Sequence, residues 1–152
     1  MPRETIALGA DHAGFAMKAV LAADLVKMGY DVLDLGTNSE VSVDYPDFGF
    51  AVGRAVVEGR AARGILVCGT GIGMTIAANR DPAIRAALCT SGLMARLARE
   101  HNDANVLAVG SRIIGIEVAR ECVRQFLSTS YGGGRHADRV AKLSHPEFEA
   151  AE

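Results

Sequence analysis

The chain has 152 residues, with 16 Lys and Arg against 18 Asp and Glu, a formal charge of -2 and 49% hydrophobic residues. That size suits one domain with its own core and is too small for two ordinary domains. The near-balance of charge supplies no basic field over the whole chain, so neither nucleic acid nor an anionic membrane is expected as a partner, whereas a local group of arginines can still hold a small anion.

No apolar run approaches the ~18 residues that a bilayer span needs, and Met1 to Glu4 lacks the layout of a signal peptide, so a cytoplasmic location is expected. Cys68, Cys89 and Cys122 are odd in number and widely spaced, without a CxxC pair. This argues against both a disulfide framework and a structural zinc site. The lack of tryptophan, the 5% aromatic content and the 17 glycines suit close backbone turns around a small ligand better than stacking on bases.

Residues 5–9 (TIALG) read as a strand; after the break at Asp11-His12-Ala13-Gly14, the residues Phe15, Val20, Leu21, Leu25 and Met28 recur at roughly helical intervals and Gly29 closes the helix. Residues 31–35 (DVLDL) form the second expected strand, 36–46 a polar loop, and about 47–59 an Ala/Val-rich helix. The run 64–68 (GILVC) is apolar enough to be buried on both faces, and the glycine loop 69–73 leads into a helix that ends near Arg80. A strand at 85–89, a helix at 93–100, a strand at 105–109 and an amphipathic helix at 113–127 complete the alternation.

Strands separated by single helices imply right-handed crossovers. The expected fold is a three-layer α/β/α, Rossmann-like domain with a five-stranded parallel sheet, one domain over residues 1–152. From Tyr131 the pattern breaks. The C-terminal arm, about 131–152, carries Arg135, Arg139 and Lys142 and reaches Phe148 with too few apolar residues for a layer of its own, so it is expected to pack on something else, such as a second subunit.

The sharpest local feature is Cys68-Gly-Thr-Gly-Ile-Gly-Met74, after a strand and before a helix. Glycines at alternate positions let a ligand approach the backbone, and the unpaired N–H groups of a first helical turn favour negative charge. A cysteine there is a candidate nucleophile or base; the plain alternative is a glycine turn behind an inert, buried thiol. A Walker loop would need GK[ST], a dinucleotide site GxGxxG with a later acidic residue, and a cysteine phosphatase an arginine where Met74 stands, so none of the three fits.

Asp11 and His12 follow the first strand and therefore lie at the same carboxyl edge as Cys68, unless they are only a helix cap and an exposed histidine. His101-Asn102-Asp103 precedes the fifth strand, toward the amino edge. Should His101 work with Cys68, the two are expected to meet across a subunit interface; a histidine favoured by a helix C-terminus is the alternative. Arg112 and the pair Arg135 and Arg139, four residues apart on the arm, suit phosphate, or else belong to a solvated basic tail.

Taken in order, Asp11-His12-x-Gly14, Asp44-Tyr45-Pro46, Cys68-Gly-Thr-Gly-Ile-Gly, Ile84-Arg85-Ala86, His101-Asn-Asp-x-Asn-Val-Leu, Gly-Ser-Arg112 and Gly-Gly-Arg135-His-x-x-Arg139 resemble the RpiB/LacAB sugar-phosphate isomerases, from about Ile6 to Val140. The resemblance implies aldose–ketose conversion of a phosphosugar, with ribose 5-phosphate and ribulose 5-phosphate as the first pair to expect. Allose 6-phosphate, galactose 6-phosphate, a tetrose 4-phosphate and a non-catalytic phosphosugar-binding module are the alternatives. It further implies Cys68 as the base between C1 and C2, His101 as the ring-opening acid, and Thr70 with the amides of Gly69, Gly71, Ile72 and Gly73 around the enediolate oxygen. Asp11, His12, Tyr45, Asn102, Arg112, Arg135 and Arg139 would hold sugar and phosphate, in a homodimer or tetramer whose sites are shared between subunits. Some members carry a glutamate at the end of the glycine loop; with Met74 here, Cys68 is left as the base. No metal or organic cofactor is expected, since enediolate chemistry at fixed amides requires none.

Overall fold

The central strands are apolar at nearly every position because they face helices on both sides, and the period of two sends alternate residues into two different cores. Ile65 and Val67 join Ile6, Leu8, Leu107 and Val109 in one core; Leu66 and Cys68 join Ala7, Val106 and Ala108 in the other. The computed structural model describes residues 2–147, so the notional end of the arm, Phe148 and beyond, lies outside the described residues.

The elements alternate as expected: β1 (Thr5–Ala10), α1 (Phe15–Lys27), β2 (Asp31–Asp34), α2 (Tyr45–Val57), β3 (Arg63–Cys68), α3 (Ile72–Ala78), β4 (Ala86–Leu88), α4 (Gly92–Asn102), β5 (Val106–Gly110) and α5 (Ile116–Ser128). A single tight turn, Gly134–His136, then leads into α6 (Ala137–Ser144). The arm is thus partly helical. All strand pairs are parallel, in the order β2-β1-β3-β5-β4. The first core takes Leu21 and Leu25 of α1, Ala95 and Ala98 of α4, and Ala119, Cys122 and Phe126 of α5; the second takes Val52 and Ala55 of α2 with Met74 and Ala78 of α3. Helices α1, α4 and α5 therefore cover one face of the sheet and α2 and α3 the other.

This order places the site. The chain leaves β1 toward one side, to β2, and returns to build β3 on the other, so the crevice between the carboxyl ends of β1 and β3 is a topological switch point, where open α/β sheets bind ligands. Asp11 follows the end of β1, and Cys68 is the last residue of β3. The last two strands depart from simple chain order, because β5 pairs with both β3 and β4 and so lies inside, leaving the three-residue β4 as the edge. Five apolar residues, all buried, suit β5 to that interior place, whereas each residue of β4 stays half-buried.

Candidate active site

Three loops meet at the carboxyl edge, and backbone bonds tie them together. The Asp11 amide donates to the Val67 carbonyl at 3.3 Å, those of Ser111 and Arg112 donate to Cys68 and Gly69 at 2.9 Å each, and the Ser111 hydroxyl donates to Ala13 at 2.8 Å. The loops after β1, β3 and β5 are thereby cross-linked to one another.

Within it, Cys68 is only 4% exposed and its Sγ accepts the Gly71 N–H at 3.1 Å. An amide hydrogen aimed at the sulfur stabilises negative charge there. Helix α3 has only seven residues, so its first amides, rather than a long aligned dipole, supply this effect. The Thr70 side chain is exposed beside the same turn and accepts the Ile72 N–H at 3.2 Å. The turn depends on Gly71, whose φ of +80° lies in the left-handed region and whose added Cβ would come within 2.5 Å of Leu88 Cδ1. The Tyr45 ring, at the start of α2 and exposed on its outer side, lies over Gly73, so a side chain added there would meet the outer atoms of the ring.

His12 and Asp11 complete this edge. Asp11 is 6% exposed, and its Oδ1 accepts the Gly14 N–H at 3.1 Å, so it braces the turn into α1. His12 Nδ1 accepts the Val43 N–H at 3.2 Å; a neutral imidazole held this way carries its proton on Nε2 and presents it as a donor. The Arg112 guanidinium lies against Gly69, whose added Cβ would stand 3.1 Å from Nη1.

The remaining sequence-derived residues gather at the opposite edge. His101 and Asn102 end α4, while the neighbouring Asp103 pairs with Arg85 at 3.3 Å and Arg99 at 2.9 Å and so serves the fold. The arm returns to this point: the Gly132 amide donates to the Glu100 carbonyl at 2.9 Å, and the ring of His136 stacks on that of His101 with centroids 4.4 Å apart and planes 17° from parallel. Arg135 and Arg139 flank the stack, and Arg139 Nη1 donates to the Arg135 carbonyl at 3.0 Å. Burial, the charges of His101, Arg135 and Arg139, and against them Glu100, hold His136 below the usual histidine range. His136 sits between the two arginines in the motif that carries the resemblance, but nothing in the sequence pairs it with His101.

The sequence-derived residues thus fall into two groups, one at each edge of the sheet. A six-residue strand spans about 20 Å, so Cys68 and His101, beyond opposite ends of the sheet, do not share a crevice within one chain. Cys89 and Cys122 take no part: burial first, then the neighbouring thiol or Glu121, pushes their thiols up to about 12 and about 11. Among the described residues no three His, Cys, Asp or Glu side chains converge as a metal site, and no helix is long and apolar enough to cross a membrane.

With this arrangement in view, the Ribose/Galactose Isomerase family model matches residues 6–143. The chain belongs to this family of sugar-phosphate isomerases. A curated relative, ribose-5-phosphate isomerase B of Escherichia coli, is 47% identical over 139 residues, covering 91% of this chain and 93% of the relative. Solved structures of the same fold include ribose-5-phosphate isomerase B of Clostridium thermocellum, 51% identical with a TM-score of 0.91 over 92% of this chain and 95% of that one. The ribose 5-phosphate isomerase of Thermotoga maritima is 49% identical, with a TM-score of 0.92 over 94% and 99% of the two chains. The family expectation drawn from the motifs is met along nearly the whole chain.

Proposed function

We propose that the chain interconverts ribose 5-phosphate and ribulose 5-phosphate through an enediolate, in sites that each combine the carboxyl-edge loops of one copy with the amino-edge arm of another. The observation that carries the mechanism is the Gly71 N–H aimed at Cys68 Sγ in the crevice between β1 and β3. The Cys68 thiolate removes the proton from C2 of the open-chain aldose and returns one to C1. The charge that develops on the substrate oxygens falls on the amides of residues 69–73 and on Thr70, which are already oriented and need no reorganisation.

His101 of the second copy donates a proton to the ring oxygen as the anomeric hydroxyl gives up its own, which opens the furanose before the carbon acid is reached. Asn102 lies beside it to hold the sugar. Phosphate is held by Arg112 of one copy and Arg135 and Arg139 of the other, with the Nε2–H of His12; this remote anchoring aligns C1 and C2 with the sulfur. Asp11 and Tyr45 border the sugar, and the Tyr45 ring against Gly73 sets the depth of the crevice and hence the length of sugar accepted. The division of these residues between the two sheet edges supports a homodimer or larger assembly, since neither half-site holds both the base and the acid.

The test is the initial rate of ketose formation, in EDTA, from ribose 5-phosphate, allose 6-phosphate, galactose 6-phosphate and erythrose 4-phosphate. Preference for ribose 5-phosphate is the expected result; preference for another sugar keeps the mechanism and changes the substrate, and no turnover on any of them favours a phosphosugar-binding module. Cys68→Ala should abolish nearly all turnover while leaving binding of a phosphate ligand, and more than a few percent of residual kcat would refute Cys68 as the base.

A further inference from the structure

We infer that His136 is a positioning residue for the acid step: its ring, stacked face to face on His101, sets the plane in which His101 delivers its proton. This rests on the reading of His101 as the ring-opening acid and extends it to a residue that reading leaves idle.

The geometry carries the argument. A hydrogen bond to one nitrogen of His101 would orient its ring and at the same time fix which nitrogen carries the proton. A stack uses only the face and leaves Nδ1 and Nε2 free in the plane. At a centroid separation of 4.4 Å and 17° between planes the two rings are in contact, so a rotation of His101 about its outer torsion would break the stack.

The backbone of the segment that carries His136 is tethered to α4. The arm is pinned to the end of α4 by the Gly132–Glu100 backbone bond, the His136 amide donates to the Gly133 carbonyl at 3.1 Å, and α6 follows at once. The charges around the ring are consistent with the role: Arg135 and Arg139 on the arm and His101 on α4 all disfavour a cation on His136, and Glu100 alone opposes them. A neutral ring can face His101 in either of its protonation states, and it attracts the imidazolium, whereas two stacked cations would repel. Because Arg135 immediately precedes His136, the phosphate anchor and the template for the acid are parts of one turn, so seating the phosphate also seats the stack.

The experiment separates ring opening from carbon-acid chemistry. Ribulose 5-phosphate has its O5 esterified and stays open-chain, so exchange of its C1 proton with deuterated water, followed by NMR, requires the base and the enediolate but no ring opening. Conversion of ribose 5-phosphate requires all three. In His136→Ala, kcat for ribose 5-phosphate should fall by roughly tenfold or more, the scale expected when a catalytic group is misplaced, while C1 exchange stays within about threefold of the parent, a change worth less than 1 kcal/mol. His136→Phe, which keeps an aromatic face without a titratable nitrogen, should recover most of the lost turnover.

Equal losses in both assays would mean that the arm as a whole had shifted, and would overturn the inference. So would an unchanged His136→Ala, or a phenylalanine no better than alanine. His101→Ala is the control: loss of ribose 5-phosphate turnover in it alone refutes only the stack, whereas full turnover in it refutes the acid role of His101 and the inference with it.

Discussion

Lys18 offers a sharp test of how this fold tolerates charge beside its site. It lies on the same face of α1 as Leu21 and Leu25 and is itself buried, its side chain 2% exposed. The ammonium is 2.6 and 2.7 Å from the two carboxylate oxygens of Asp34, at the end of β2, and 5.8 Å from the centre of the Phe15 ring. Asp34 is 40% exposed and accepts the Gly36 N–H at 3.0 Å. The partners therefore differ in what each does when left alone. Asp34→Asn leaves a cation with almost no access to water, and breaking a buried pair from this side costs about 3 kcal/mol, the low end of the usual range because the amide oxygen still accepts a hydrogen bond. Lys18→Met leaves a carboxylate that rehydrates and keeps the Gly36 amide, so about 1 kcal/mol is expected, close to the scale of a surface pair. Urea unfolding followed by circular dichroism, at one fixed protein concentration so that any self-association is the same for every variant, measures both. Equal losses, or a larger loss in Lys18→Met, would refute the reasoning. The pair also bears on the site: Gly36 and Thr37 exchange backbone bonds of 2.8 and 2.7 Å with Ala10, the residue before Asp11, so Asp34→Asn should lower kcat/KM for the substrate as well.

Three further outcomes are expected. Gly73→Ala meets only the outer atoms of the Tyr45 ring, which is exposed enough to swing toward solvent, so the fold should lose less than about 1 kcal/mol, and that loss should vanish in a Tyr45→Ala background, as a double-mutant cycle would measure. Iodoacetamide at pH 8 should alkylate Cys68 in step with loss of turnover and spare Cys89 and Cys122, whose thiols burial has pushed up to about 12 and about 11; peptide mass mapping showing either of those labelled first in the folded protein would contradict this. His136 is held below its ordinary range by burial and by His101, Arg135 and Arg139 against Glu100, so the unfolded chain takes up its proton at higher pH than the folded one does. Stability should consequently rise with pH through the ordinary histidine range and fall on acidification below it, and His136→Phe should flatten that slope in thermal unfolding between pH 7.5 and 5.

Much of the candidate site is legible along the chain because the chemistry at the carboxyl edge is local. Cys68 and the amide that donates to it are three residues apart, and Asp11 reaches only to Gly14, so the residues that meet are neighbours in sequence. His136 is different. Its partner lies 35 positions earlier, and no periodicity links an arm after three glycines to the end of α4. The Val43 amide that sets the tautomer of His12 comes from a loop that reads only as polar. Asp103 shows the opposite error of scale: in sequence it belongs with His101 and Asn102, yet it is taken up by Arg85 and Arg99.

What the sequence by itself determined was the succession of strands and helices, their parallel sense, and the edge at which each loop emerges, because hydrophobic period and crossover handedness are properties of short segments. Only the tertiary structure decided that β5 would insert between β3 and β4, that a lysine on the apolar stripe of α1 would be buried against Asp34, and that the arm would fold back to stack His136 on His101. Those outcomes depend on which surfaces meet once the chain is closed, and distant segments compete for the same faces through free energies that no short window contains.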